Sequence, residues 1–172
     1  MSPAENLPAT VRDEVEMLRF DLTGETFAIE ADFVREILDL TSETKVPGAP
    51  PFAPALINFR GKVIPIADLR VAFALKALDA THDSRIIVIE FDLDGVATLI
   101  GLRADQVREV SPLAWSKTEP VPALGMRWRP DYVRRVGRCG DNPVIIPDLG
   151  RIFAAELERA DSAAVVSLSA HA

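Results

Sequence analysis

The chain has 172 residues, 48% of them hydrophobic, and its mean hydropathy is +0.14. A domain of this length buries roughly 70% of its unfolded surface, which gives it a core without staples and excludes disorder for its middle. Nine glycines and thirteen prolines without a tandem period exclude a collagen-like chain, and a formal charge of −7 offers no general attraction to a phosphate backbone.

Residues 1–14 are polar and contain proline, so a flexible leader is expected there; it has no apolar signal-peptide region. Segments 17–22 and 26–30 flank Thr23-Gly24-Glu25, and segments 86–93 and 96–102 flank Asp94-Gly95. Both have the chemistry of tight hairpins, because Gly takes up positive φ at no steric cost. Runs 61–69 and 143–149 are short and β-branched. Their Pro65 and Pro147 point to edge strands, strand starts or bulges. A final helix is expected over 149–160, with Ile152, Phe153 and Leu157 on one face. Residues 159–172 read as a flexible tail. No apolar run approaches the length of a membrane span, and with one cysteine the chain is expected in the cytoplasm.

The pattern repeats. Phe20-Asp21-Leu22-x-Gly24 returns as Phe91-Asp92-Leu93-x-Gly95, and Ala31-Asp32-Phe33-Val34-Arg35-Glu36-Ile37 returns as Ala104-Asp105-Gln106-Val107-Arg108-Glu109-Val110. Each copy ends in Asp-Leu-x-x-x-Phe, at Asp68–Phe73 and Asp148–Phe153. Two related lobes follow, about 15–80 and 81–158, with strand exchange between them left open. Each has about five short strands. Such strands close economically into small barrels, because closure removes exposed edges. The fold expected is all-β: two five-stranded SH3-like barrels and a short C-terminal helix.

Catalytic chemistry is sparse. His82 sits in a polar loop and His171 beside the C-terminus. Cys139, between Arg138 and Gly140, has neither a base nor a resolving thiol nearby. Gly61-Lys62 lacks the upstream glycine of a phosphate loop, since residue 56 is Leu. Asp68 and Asp148 follow strands and precede apolar turns, which suits helix N-caps better than an acid–base pair. No enzyme, metal or cofactor is expected. One basic stretch stands apart: Arg127, Arg129, Arg134, Arg135 and Arg138, interleaved with Trp128 and Tyr132. It supports an alternative reading, a small barrel protein binding polyanions or nucleic acid, against that of arginines answered by local acids.

Val34-Arg35-Glu36-Ile37-Leu38, then Val46-Pro47-Gly48-Ala49-Pro50, then the run from Ala55 through Asn58-Phe59-Arg60-Gly61-Lys62-Val63-Ile64-Pro65 to Asp68-Leu69-Arg70 resemble the signature of CheW-type chemotaxis coupling proteins. The resemblance spans about 15–158, with no receiver or kinase module appended. Ala55 stands where the family usually has Gly, and Phe59 where Leu or Ile is common. It implies a non-enzymatic adaptor joining the cytoplasmic tips of methyl-accepting chemoreceptors to the regulatory domain of the histidine kinase CheA. Localisation at chemoreceptor arrays is implied too, with no nucleic acid bound and no membrane insertion. It also implies a receptor-facing groove of Val34, Glu36, Asn58, Arg60, Gly61 and Val107. Arg60 there either faces a receptor carboxylate or forms a core-spanning ion pair.

Overall fold

Two-residue turns set the strand order. At Thr23-Gly24 φ is 49° and 80°, and at Asp94-Gly95 it is 53° and 81°. Positive φ at both central positions matches the twist of the flanking strands, so each turn closes a tight antiparallel hairpin. The computed structural model describes residues 13–122, 129–156 and 159. In the first half of the chain the strands are β1 (Glu14–Leu22), β2 (Glu25–Glu30), β3 (Val34–Asp39), β4 (Thr44–Lys45), β5 (Ala55–Phe59) and β6 (Lys62–Ala67), followed by a short helix α1 (Leu69–Ala72). In the second half they are β7 (Arg85–Leu93), β8 (Val96–Ala104), β9 (Gln106–Ala114), β10 (Val133–Cys139) and β11 (Asn142–Pro147). A second helix, α2, begins at residue 149 and is described to residue 156.

The sheets cross the halves of the chain. One has the order β10-β11-β2-β1-β9, and the other β3-β7-β8-β6-β5-β4. Each therefore joins the first hairpin of one repeat to the remaining strands of the other. Corresponding contacts do the joining: Ile145 of β11 runs parallel to Phe27 of β2, and Ile66 of β6 parallel to Gly101 of β8. Closure follows the same rule. Beyond β9, Glu119 exchanges two backbone hydrogen bonds with Val136 of β10 (2.8 and 2.9 Å), and beyond β3 the two-residue β4 pairs with β5. Neither half of the chain by itself makes up one sheet. The second sheet has six strands where about five were expected, because β4 is a separate short strand.

This arrangement explains strands that are apolar on both faces. Ile86 and Val88 of β7 join Ile57, Phe59, Ile64 and Ile66 inside one barrel, while Ile87 and Ile89 turn the other way. Met17, Ala28, Val144 and Ile146 fill the second barrel. Between the barrels lies a larger shared layer with Leu18, Phe20, Phe27, Ile87, Ile89, Leu102, Tyr132 and Ile145. Phe73 and Phe153, the last residues of the repeated motifs, are buried in that layer. Full burial of an aromatic or branched aliphatic side chain contributes about 1.5–3 kcal/mol, so the shared layer binds the barrels into one body.

The two aspartates cap helices, as their sequence position suggests. Asp68 Oδ1 accepts from the Arg70 amide (3.0 Å), and Asp148 Oδ1 from the Arg151 amide (3.1 Å). Asp68 also holds the buried guanidinium of Arg70 through two contacts of 2.9 Å. Two expectations need correction. Pro65 lies in β6, which has neighbours on both sides rather than forming an edge. Counting from the pair Phe59–Lys62 that closes the hairpin, Pro65 opposite Leu56 falls at a non-hydrogen-bonded site, and the parallel ladder to β8 starts only at Ile66. Asp13 and Glu14 belong to the folded part: Glu14 opens β1, and the Asp13 carboxylate accepts from the Ser116 amide (2.8 Å) and hydroxyl (2.6 Å). Leu157, expected on the apolar face of the last helix, lies outside the described residues. Among the described residues no helix is long and apolar enough to cross a membrane.

Candidate functional site

The β5–β6 hairpin presents the site. Its loop is Arg60-Gly61, between the paired residues Phe59 and Lys62, and φ is 49° at Arg60 and 81° at Gly61. Glycine suits the second position. At the first, an arginine sits in a left-handed conformation that ordinary L-residues avoid. The side chain of Asn58 supports the turn, its Oδ1 accepting from the Gly61 amide at 3.0 Å.

Across from this turn, β3 alternates half-buried and exposed residues. A register break between Val34 and Glu36 sets Glu36 and Leu38 opposite Val88 and Ile86, while Val34 lies opposite Ile89, which turns the other way. Glu36 Oε2 lies 2.8 Å from Arg60 Nη2. The carboxylate oxygen is shielded from water and accepts no aligned hydrogen bond, so the contact is one of charge proximity. Arg60 also lies over the ring of Phe59, 5.4 Å from its centroid. The Arg60 side chain is 75% exposed and that of Glu36 34%. This is no core-spanning ion pair; an exposed pair of this kind contributes about 0–1 kcal/mol to stability. The exposed guanidinium keeps donors for an acceptor from outside.

Of the six expected groove residues, the structure brings Glu36, Asn58, Arg60 and Gly61 together around one turn. Val34 lies beyond the register break of β3, opposite Ile89, and packs against the shared apolar layer. Val107 is on the other sheet, in β9 opposite Phe20, and packs against that same layer. The two valines are equivalent positions of the repeat, but their partners differ. Glu109, the counterpart of Glu36, pairs with Arg19 at 2.9 Å, and the β10–β11 turn is Gly140-Asp141. Only the first repeat places an arginine in this turn beside its glutamate.

The basic stretch is largely engaged within the chain. Arg134 pairs with Glu30 (2.9 Å) and lies over Trp115 at 4.7 Å, Arg135 donates to Thr118 and faces the same ring at 5.6 Å, and Arg129 lies over Tyr132 at 4.8 Å. Arg127 and Trp128 lie outside the described residues. The role of Trp115 as the stacking platform was not read from the sequence. Tyr132 donates to the buried Glu156 (3.1 Å), and burial, reinforced by this bond, raises its phenol above the ordinary pKa. Cys139 is half-buried beside Arg19, and His82 is exposed beside Asp83. Among the described residues no three His, Cys, Asp or Glu side chains are grouped to hold a metal.

Two small barrels joined through a common apolar layer, with a charged turn displayed on one of them, define a protein of the double SH3-like barrel class. A family model for the CheW-like domain matches residues 16–157. The chain is 28% identical over 141 residues to the chemotaxis protein CheW of Klebsiella aerogenes, covering 82% of each. It is 30% identical over 117 residues to that of Bacillus subtilis, covering 67% of this chain and 72% of the relative. Among solved structures it matches the scaffolding protein TtCheW of Thermoanaerobacter tengcongensis with a TM-score of 0.70 and 32% identity, over 81% of this chain and 92% of that one. The chain belongs to the CheW-like family of chemotaxis scaffold proteins.

Proposed function

We propose that this chain is a non-enzymatic cytoplasmic adaptor that couples the tips of methyl-accepting chemoreceptors to the regulatory domain of the histidine kinase CheA at chemoreceptor arrays. Family membership supports the general role. The observation that carries the receptor assignment is Arg60: a guanidinium 75% exposed, held beside Glu36 on a tight turn that fixes its origin. Its planar fork suits bidentate recognition of a carboxylate or amide on a helical tip better than a lysine does. Val34, Glu36, Gly61 and Val107 complete the receptor-facing groove, with Asn58 in its turn. CheA binds through other surfaces of the barrels.

Co-sedimentation with receptor-bearing membranes, with and without CheA, tests the assignment. The wild-type chain is expected to associate with receptors and to raise kinase activity, and an Arg60→Ala variant to do both measurably more weakly while binding CheA directly. Undiminished receptor association by Arg60→Ala would remove the assignment of the groove.

A further inference from the structure

We propose that Asn58 is a positioning residue for Arg60, acting through the Gly61 amide rather than by touching the receptor. The inference rests on the receptor-groove reading for its effect on association, but its geometric part stands on the hairpin alone.

Turns with positive φ at both central positions favour Asn, Asp or Gly there. Asp94-Gly95 obeys that preference, and Arg60-Gly61 does not. Among the described residues four non-glycine positions have positive φ, Thr23, Arg60, Ala74 and Asp94, and Arg60 is the one with a cationic side chain. A strained residue of this kind persists only where its surroundings over-determine it. Here the over-determining contact is the hydrogen bond from the Gly61 amide to Asn58 Oδ1, 3.0 Å long.

One other hairpin repeats the device, and a third clamps its turn from another strand. In the β7–β8 hairpin the Gly95 amide donates to Asp92 Oδ1 at 2.7 Å, three residues back, as Gly61 donates to Asn58. In the β1–β2 hairpin the Thr23 amide donates to Asp105 Oδ2 at 2.6 Å. Each of these turns has a side-chain oxygen on a turn amide. Asn58 thus spends its acceptor on the backbone. The consequence is directional: with the turn clamped, the Arg60 Cα is fixed and its guanidinium stays over Phe59 and within 2.8 Å of Glu36. Without the clamp, Arg60 relaxes toward negative φ and swings out of that register.

The test uses the full chain, amide exchange of Gly61 by nuclear magnetic resonance, and binding to a soluble receptor cytoplasmic-tip fragment. Loss of one such bond corresponds to about a tenfold change in an equilibrium. Asn58→Ala is expected to speed Gly61 exchange and weaken association by about that factor, while Asn58→Asp, which keeps the acceptor as Asp92 does, restores both to within about threefold. In an Arg60→Ala background, Asn58→Ala is expected to weaken association by less than about twofold further, because nothing is left to position. A full further loss in that background means that Asn58 touches the receptor itself, and overturns the proposal. So does unchanged Gly61 exchange in Asn58→Ala. If Arg60→Ala binds the fragment normally, the receptor reading fails by itself, and the Gly61 exchange rates still decide whether Asn58 clamps the turn.

Discussion

Arg60 Nη2 and Glu36 Oε2 are 2.8 Å apart, yet one belongs to the turn between β5 and β6 and the other to β3. Strand β3 stands at the far side of the sheet order from β5, so the pair exists because the sheet curls until its ends meet. Barrel closure is what turns two separate motif fragments into one charged feature. The same closure leaves the guanidinium outside, where it contributes little to stability and is available to a partner.

Fragments 1–80 and 81–172 are each expected to be unfolded alone and to fold when mixed. Each sheet takes strands from both halves, and the connecting residues 76–83 are exposed, so a cut there is tolerated. Circular dichroism of each fragment and of their mixture checks this. An independently folded fragment 81–172 would contradict the exchanged topology.

The Asp68–Arg70 pair is the opposite of Glu36–Arg60. Its side chains are 11% and 9% exposed, and Arg70 also donates to the Leu78 carbonyl at 3.1 Å. Removing Asp68 takes away both close contacts and the helix cap, and leaves the buried guanidinium with Asp105, 4.0 Å away, as its acidic partner. Asp68→Ala is therefore expected to cost about 3 kcal/mol in denaturant unfolding. A loss of less than about 1 kcal/mol, the range of exposed pairs, would show that water reaches Arg70.

Tyr132 is the chain's one tyrosine, which makes its titration readable by phenolate absorbance. Burial and the bond to Glu156 raise its pKa, so the folded state holds the proton more tightly than the unfolded state. The stability from this group is complete below the ordinary phenol pKa of about 10 and is lost as pH rises through the higher folded value. The expected result is a titration midpoint above that of a model phenol, and less alkaline sensitivity of unfolding in Tyr132→Phe. A midpoint at the ordinary value would place the hydroxyl in water.

Much of this was legible because the repeat carries its own chemistry. Gly24 and Gly95 mark hairpins, Asp68 and Asp148 mark caps, and Phe73 and Phe153 end in the core, each for a local reason that sequence spacing shows. Which sheet each hairpin joins was not legible. Ile86 to Ile89 is apolar on both faces, and the pattern fits insertion into either barrel equally well. Asn58 and Arg60 were legible as neighbours of a turn, through the family motif. That Asn58 spends its side chain on the backbone depends on the sign of φ at Arg60, which composition does not encode. Trp115 was missed because its arginine partners come from β10, which reaches it only through the closed barrel.

The most direct test of the adaptor assignment is Arg60→Glu in a reconstituted array of receptor, CheA and this chain. The substitution sets a second carboxylate against Glu36 at the exposed turn and removes the charge-assisted contact, for a loss of about 2–5 kcal/mol in receptor association. The expected result is selective: receptor association and kinase activation lost, direct CheA binding retained, and an unchanged circular dichroism spectrum. A folded Arg60→Glu chain that still binds receptors and activates the kinase normally would contradict the assignment.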